Sequence, residues 1–243
     1  MSSLSIIIIG DEILSNTFVD ENTPWLLRRA KKLDLKVNTV RIIPDVMEDI
    51  IKTVREESDR STYVITTGGV GPTHDDVTME AIATAFGTST YKNPTLTKLI
   101  QEKMGTDNPG ALLMANIPQG AELLESAKGF FPQVKVQNVY IFPGVPKLMK
   151  IKFDAISHRF VGKKMFKKQI YLQASESKLA PQITALNKKL DKVTIGSYPR
   201  FDEGPVNLIL TVQGFLEEQV QDAYGHICTE FQPYLHNVQG EET

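Results

Sequence analysis

Hydrophobic positions along the chain follow two periods that take turns. Ile6-Ile7-Ile8-Ile9 is an unbroken β-branched run, which predicts a strand covered on both faces. Gly10-Asp11-Glu12 ends it. From residue 20 to 32, Trp25, Leu26, Leu27 and Ala30 recur at helical spacing, and Pro24 falls in a first turn, where a missing N–H costs little. Residues 37–43 predict a second strand, closed by Pro44-Asp45. Met47, Ile50, Ile51 and Val54 predict the next helix. Residues 61–67 predict a third strand, 67–72 a glycine-rich turn, and 76–86 a helix ended by Gly87. A helix over 94–104 follows, then a strand over 138–142. Pro143-Gly144-Val145-Pro146 leads from that strand into a helix reaching about residue 158. Strand and helix alternate, so the expected class is α/β with a mostly parallel sheet.

Near 161–168 the rhythm changes. Strands are expected over 168–174, 193–198 and 206–212, and helices over 178–190 and 216–230. This βαββα order predicts a small α+β second domain. The expected domains are 1–163 and 164–243, with a polar tail over 237–243 that should fray. Between Lys147 and Lys168 there are eight Lys or Arg and one acid, Asp154. That stretch reads either as a solvated helix face with a linker or as a phosphate-attracting patch.

Composition narrows the class. In 243 residues, 27 Lys and Arg against 29 Asp and Glu give a net charge of -2, so nucleic acid is not an expected partner. The single cysteine, Cys228, excludes an intramolecular disulfide and a multi-cysteine zinc site, and reads as a small apolar residue on a helix. The four histidines show no paired metal spacing. The early apolar run, residues 4–9, is too short to cross a bilayer, and no basic region precedes it. A soluble cytoplasmic protein with no membrane partner is expected.

Four stretches carry candidate chemistry. Thr67-Gly68-Gly69-Val70-Gly71-Pro72-Thr73-His74-Asp75-Asp76-Val77-Thr78 joins a predicted strand to a predicted helix. Its glycines permit close approach of a ligand, and a helix N-terminus favours phosphate. Asp75, Asp76 or Thr73 would serve equally as ordinary caps, but five polar side chains crowding one turn exceed what one cap needs. Gly10-Asp11-Glu12, with Asp20 and Asn22, also follows a strand's carboxyl end. If the two stretches are neighbours, Asp11, Glu12, Asp20, Asp75 and Asp76 converge in the manner of a Mg²⁺-phosphate site. Alternatively, Asp20 and Asn22 merely open a helix. Pro143-Gly144 forms a rigid turn that is structural or functional. In the second domain Tyr198 is a candidate for stacking on a flavin or base and Arg200 for meeting phosphate, unless they belong to an exposed turn. Only His74 among the histidines lies in a motif, and Trp25 reads as core or pocket edge.

Those residues carry a resemblance. Gly10-Asp11-Glu12-Ile13-Leu14, Asp20-x-Asn22, the Thr67 to Ala81 block and Phe142-Pro143-Gly144-Val145-Pro146 resemble the molybdopterin-binding-like domain family, in particular its FAD synthase and CinA branches. The resemblance covers about residues 5–215. It implies a three-layer α/β/α domain and metal-dependent hydrolysis of a nucleotide pyrophosphate, with FAD cleaved to FMN and AMP. Mg²⁺, Mn²⁺ or Co²⁺ would be held by Asp11, Asp75 and Asp76. Gly68, Gly69 and Gly71 would line the phosphate loop, Thr73 and Thr78 would donate hydroxyls, and Asp20 and Asn22 would border the nucleotide. Molybdopterin binding or adenylylation, and flavin nucleotide binding without catalysis, are the alternatives. The resemblance also implies possible homo-oligomers. Asn16 stands where the family often has glycine. The 243 residues leave no room for an adenylyltransferase domain, so FAD synthesis is not expected of them.

Overall fold

The computed structural model describes residues 2–105, 108–201 and 204–236; the tail expected to fray lies outside them. The chain forms two compact units, Met1–Gly162 and Lys163–Thr243.

In the first unit the β-branched run lies in β1 (Ser3–Ile9), every residue of which is buried. β1 pairs in parallel with both β2 (Lys36–Ile43) and β3 (Tyr63–Thr67), so that Ile7 lies between Arg41 and Thr66. β8 (Val139–Phe142) continues the parallel set beside β3. Beyond it, β7 (Gln133–Val136) and β6 (Glu122–Leu124) are antiparallel, which completes the order β2-β1-β3-β8-β7-β6. The sheet is thus mostly parallel, as expected.

Side chains alternate across β1. Ile7 and Ile9 face a core made with α3 (Met47–Arg60), α4 (Thr78–Ala85), α5 (Pro94–Met104) and α6 (Pro109–Leu113), through residues such as Ile50, Val54, Ile82 and Ile100. After β1 comes the one-turn helix α1 (Asp11–Leu14), and Leu4, Ile6 and Ile8 face a second core with α2 (Asn22–Lys32) and α7 (Pro146–Ile156), through Leu26, Met149 and Phe153. Helices on both faces bury each Ile of the run, at about 1.5–3 kcal/mol apiece relative to exposure. This is the three-layer α/β/α arrangement. Trp25 belongs to it, edge-on to Phe153 at 5.3 Å.

Between α5 and β8 the hydrophobic pattern predicts no element. The segment contains α6, the short strand β5 (Asn116–Pro118) paired with β4 (Thr90–Lys92), and the β6–β7 pair. Strands of three or four residues are too short to show a period. The helix expected from residue 76 begins at Thr78, because Asp76 is engaged in the loop before it.

The second unit is an antiparallel sheet, ordered β10-β11-β9, of β9 (Phe166–Leu172), β10 (Thr194–Pro199) and β11 (Leu208–Gly214). With α8 (Glu176–Lys189) and α9 (Glu217–Glu230) it realises the expected βαββα order around its own core of Leu172, Leu179, Leu208, Leu210 and Ile227. Cys228 is half-buried on α9.

The basic stretch is largely occupied locally. Lys150 pairs with Glu21 at 3.3 Å and Arg159 with Glu125 at 2.7 Å, while Lys163, Lys164 and Lys168 lie over Phe215, Phe166 and Tyr224. No described helix is long and apolar enough to cross a membrane.

Candidate active site

The chain leaves β1 in one direction to form β2, then crosses back to form β3 on the other side of β1. In open α/β sheets such a reversal opens a crevice at the carboxyl ends of the strands. A cleft of about 550 Å³ lies there. Ile8 and Ile9 of β1, Thr67 of β3 and Gly144 after β8 form its floor, and Phe18, Val19 and Val145 flank its mouth.

Two glycines shape the loop beside it. Gly68 has φ 111, and a Cβ there would lie 1.9 Å from the Ile9 carbonyl oxygen; no other residue fits. Gly69 turns the chain at φ 61, with Thr78 Oγ1 2.4 Å and Asp45 Oδ1 3.0 Å from where a Cβ would be. Much of the loop's polar capacity is spent on holding this shape. The Gly68 N–H donates to the Phe142 carbonyl at 3.1 Å, and the Thr78 hydroxyl to the Gly68 carbonyl at 3.0 Å. Asp76 accepts the Gly71 N–H at 2.6 Å, the Thr73 N–H at 2.8 Å and the Thr73 hydroxyl. Thr73 and Thr78, expected as donors to a ligand, therefore donate within the loop. Among the described residues the Gly69 N–H has no protein acceptor.

Asp75 and Asp76 face different surroundings. Asp76 lines a separate polar cavity of about 180 Å³ with Glu80 and Asn116. Asp75 is exposed, and the Thr73 hydroxyl is the main cause holding its carboxyl below the ordinary range. His74 is fully exposed, 3.9 Å from Asp75.

The residue that joins the clusters escaped the sequence reading. Asp45, half-buried in the turn after β2, accepts the Asp11 N–H at 3.0 Å. Its carboxyl is pushed above the ordinary range, first by burial and then by the charges of Glu12, Asp11 and Asp75, against the pull of that N–H. The available signal was positional: Pro44-Asp45 ends a strand beside β1 just as Gly10-Asp11 ends β1. Glu12 folds back over Gly10, where a Cβ would lie 2.7 Å from both its carboxylate oxygens, and it also lines the cleft. The acidic group is therefore Asp11, Glu12, Asp45 and Asp75.

On the opposite wall Asp20 caps α2, accepting the N–H groups of Asn22 at 2.9 Å and Thr23 at 3.0 Å. Asn22 is buried, and its Nδ2 donates to Thr67 Oγ1 at 3.0 Å and to the Gly144 carbonyl at 2.7 Å. One amide thus ties α2, β3 and the Pro143-Gly144 turn together. Its Oδ1 has no partner. Pro143 faces a small apolar cavity behind the turn. Asn16 has φ 56, the left-handed conformation that glycine and asparagine adopt most readily, so the turn survives without glycine. Tyr198 and Arg200 lie on the second unit, Tyr198 exposed near the end of β10 and the Arg200 N–H donating to the Asn207 carbonyl at 2.8 Å.

Among the described residues, no group of three or more His, Cys, Asp or Glu is placed to hold a metal alone. The donor chemistry nevertheless suits a hard cation. Mg²⁺ at phosphate sites takes one or two carboxylates and completes its shell with substrate oxygens and water. The mutual repulsion around Asp45 is what such a charge would relieve.

The family described as a probable molybdopterin binding domain matches residues 5–163, and the FAD synthase middle domain matches residues 164–238. A protein of Archaeoglobus fulgidus is 30% identical over 221 residues, 90% of this chain and 93% of that one. The probable FAD synthase of Caenorhabditis elegans is 30% identical over 238 residues, 86% of this chain; the match spans only 46% of that protein's length. The crystal structure of the protein CinA, with unknown function, from Thermoplasma acidophilum superimposes with a TM-score of 0.61 at 28% identity, covering 66% of this chain and 99% of that one. With a glycine loop, acidic group and cleft built on a domain matched over residues 5–163, this chain belongs to the molybdopterin-binding-domain family, in the form continued by an FAD synthase middle domain.

Proposed function

We propose that this chain is a dinucleotide pyrophosphatase that hydrolyses FAD to FMN and AMP with a divalent cation, Mg²⁺, Mn²⁺ or Co²⁺. The observation that carries the reading is the dual position of Glu12: it lines the apolar cleft and is also one of the carboxylates acting on Asp45. A ring-sized cleft continuous with an acidic, glycine-lined turn suits a molecule that joins a heterocycle to a pyrophosphate. The similarity to FAD synthases supports a flavin nucleotide as the substrate.

In the reaction, water adds to one phosphorus, the bridging P–O bond breaks, and each half leaves with a terminal phosphate. Asp11 and Asp75, both exposed, would hold the cation, which when bound neutralises the pyrophosphate charge. Asp45 is better suited than Asp75 to take the proton from water, because its carboxyl is pushed up where that of Asp75 is held down. The free Gly69 N–H is the donor available to a phosphoryl oxygen as charge builds on it. Asp76 keeps the loop in shape.

The test is incubation of the purified chain with FAD and each cation, with FMN and AMP separated by chromatography. FMN and AMP in equal amounts are expected, and Asp45→Asn should lower kcat/KM by about 100-fold or more, the range for loss of a general base. No product with any cation, or an Asp45→Asn variant as active as the parent, would overturn the reading. Saturable molybdopterin binding without FAD turnover would favour the pterin role that the family match suggests.

A further inference from the structure

We infer that the cleft beside Asn22 receives the flavin ring of the dinucleotide and not its adenine, with Phe18 as the residue that sets this preference; the inference rests on the pyrophosphatase reading and adds the orientation of the substrate.

Size is the first argument. At about 30 Å³ per water-sized volume, a cleft of about 550 Å³ holds roughly eighteen such volumes. A tricyclic flavin core with its methyl groups fits in that space and covers more of its apolar wall than a bicyclic ring does. The bicyclic adenine leaves much of it wet, with the apolar wall of Ile8, Ile13 and Phe18 still facing water.

Charge is the second. The charged residues lining the cleft are all acidic, Glu12, Asp20 and Glu21, and none is basic. No basic side chain lines the cleft to offset a phosphate, whereas the cation proposed at Asp11 and Asp75 would offset one beside Asp45, so the pyrophosphate lies toward Gly69 and Asp45 and the cleft is left for an uncharged ring. Ribose phosphates, which would also reach a shallow pocket, are disfavoured on the same ground.

The wall chemistry is the third. The Asn22 amide is fixed in orientation because both its Nδ2 bonds go to acceptors, Thr67 Oγ1 and the Gly144 carbonyl. Among the described residues its Oδ1 is itself buried and has no partner, so the amide lends the wall a fixed shape and not an open acceptor. At the mouth Phe18 is 64% exposed and Val19 79%, an apolar rim unusual for residues with no neighbour to cover them. A stacked ring would cover both.

The test uses two readouts on the intact chain. Riboflavin, which lacks phosphate and adenine, is titrated into the protein and its fluorescence followed; adenosine is titrated in parallel by calorimetry. Saturable quenching by the protein is expected, with riboflavin bound at least tenfold more tightly than adenosine, and Phe18→Ala should weaken riboflavin about tenfold. Phe18 is exposed, so the variant should fold, which circular dichroism checks. In turnover, the ratio of kcat/KM for FAD to that for ADP-ribose should fall about tenfold in Phe18→Ala. Tighter binding of adenosine, no binding of riboflavin, or equal losses for both dinucleotides would overturn the inference. Riboflavin binding that depends on Phe18, with no hydrolysis of FAD, would leave the inference standing and remove the pyrophosphatase reading.

Discussion

Asp45 is the residue on which stability and activity pull in opposite directions. Burial and three neighbouring carboxylates raise its pKa in the folded state above the ordinary 3.8. A raised carboxyl favours the folded state while it is protonated, and that contribution is lost as pH rises through the folded value. At neutral pH the ionised group therefore costs stability. Asp45→Asn should keep an oxygen to accept the Asp11 N–H while removing the charge, so it should melt higher than the parent at pH 7. The advantage should shrink as pH falls through the folded value and be gone only well below 3.8, at about pH 3. Thermal unfolding at the two pH values checks this, and a variant less stable at pH 7 would contradict it. Together with the expected loss of turnover, a gain in stability would mark the carboxylate as retained for chemistry. The same residue shows why sequence reading of the site stopped where it did. The glycines and the acids at 11, 75 and 76 announce themselves by crowding two short motifs. Asp45 is a lone acid after a proline, and it becomes part of the site only through the pairing of Ile9 with Ile43, which sets Gly10 and Pro44 side by side. Conversely, Asp76, Thr73 and Thr78 look like ligand groups in sequence, yet their partners are the loop's own backbone and one another.

At the scale of elements, legibility follows length and period. α3 is long enough to display its period and β1 contains an unbroken β-branched run, and both are legible in the sequence. β5, β6 and β7 are not, because strands of three or four residues pair by context and not by pattern. The antiparallel edge that β6 and β7 build is held to α7 by a feature equally hidden in sequence, Lys152. Its ammonium is buried and donates to the carbonyls of Phe131 at 2.8 Å and Pro132 at 3.0 Å, with no carboxylate paired to it among the described residues. Burial lowers its pKa from 10.5 to about 8. Between those values the unfolded chain binds more protons than the folded one, so stability rises with pH over that window. Below about pH 8 the full cost of the buried charge is present; above 10.5 nothing more is gained. At about 1.4 kcal/mol per unit the change is roughly 3 kcal/mol. It should be read as the difference between the parent and Lys152→Met, since Tyr140 and Cys228 have raised values and work in the opposite sense. Chemical denaturation at pH 7.5 and 10 supplies the comparison. A difference between the two proteins that does not change with pH would show that the lysine is as well solvated folded as unfolded.

For the whole molecule, the change of rhythm in the sequence reflects two ways of enclosing a core. In the first unit a sheet is covered on both faces, which demands continuous apolar strands such as the isoleucine run. In the second, a sheet of three antiparallel strands carries helices and keeps one face polar, which shows in β9 as exposed Lys167 and Gln169 alternating with the more buried Phe166, Lys168 and Ile170. The apolar clusters of the first unit share no residue with that of the second. Stability should then be divided between two cooperative units, and a single melting temperature would not describe the chain. Leu210 is fully buried at the centre of the second core, on the middle strand of its sheet. Leu210→Ala should destabilise that unit by about 2–5 kcal/mol. Calorimetry should show two transitions in the parent and only one of them moved downward in the variant. FAD, if it binds the cleft on the first unit, should raise the other transition and leave the lowered one in place, because a ligand stabilises what it binds. A single transition that shifts as a whole with both the substitution and the nucleotide would show that the two cores melt together, and would require the second unit to be counted in the energetics of the site.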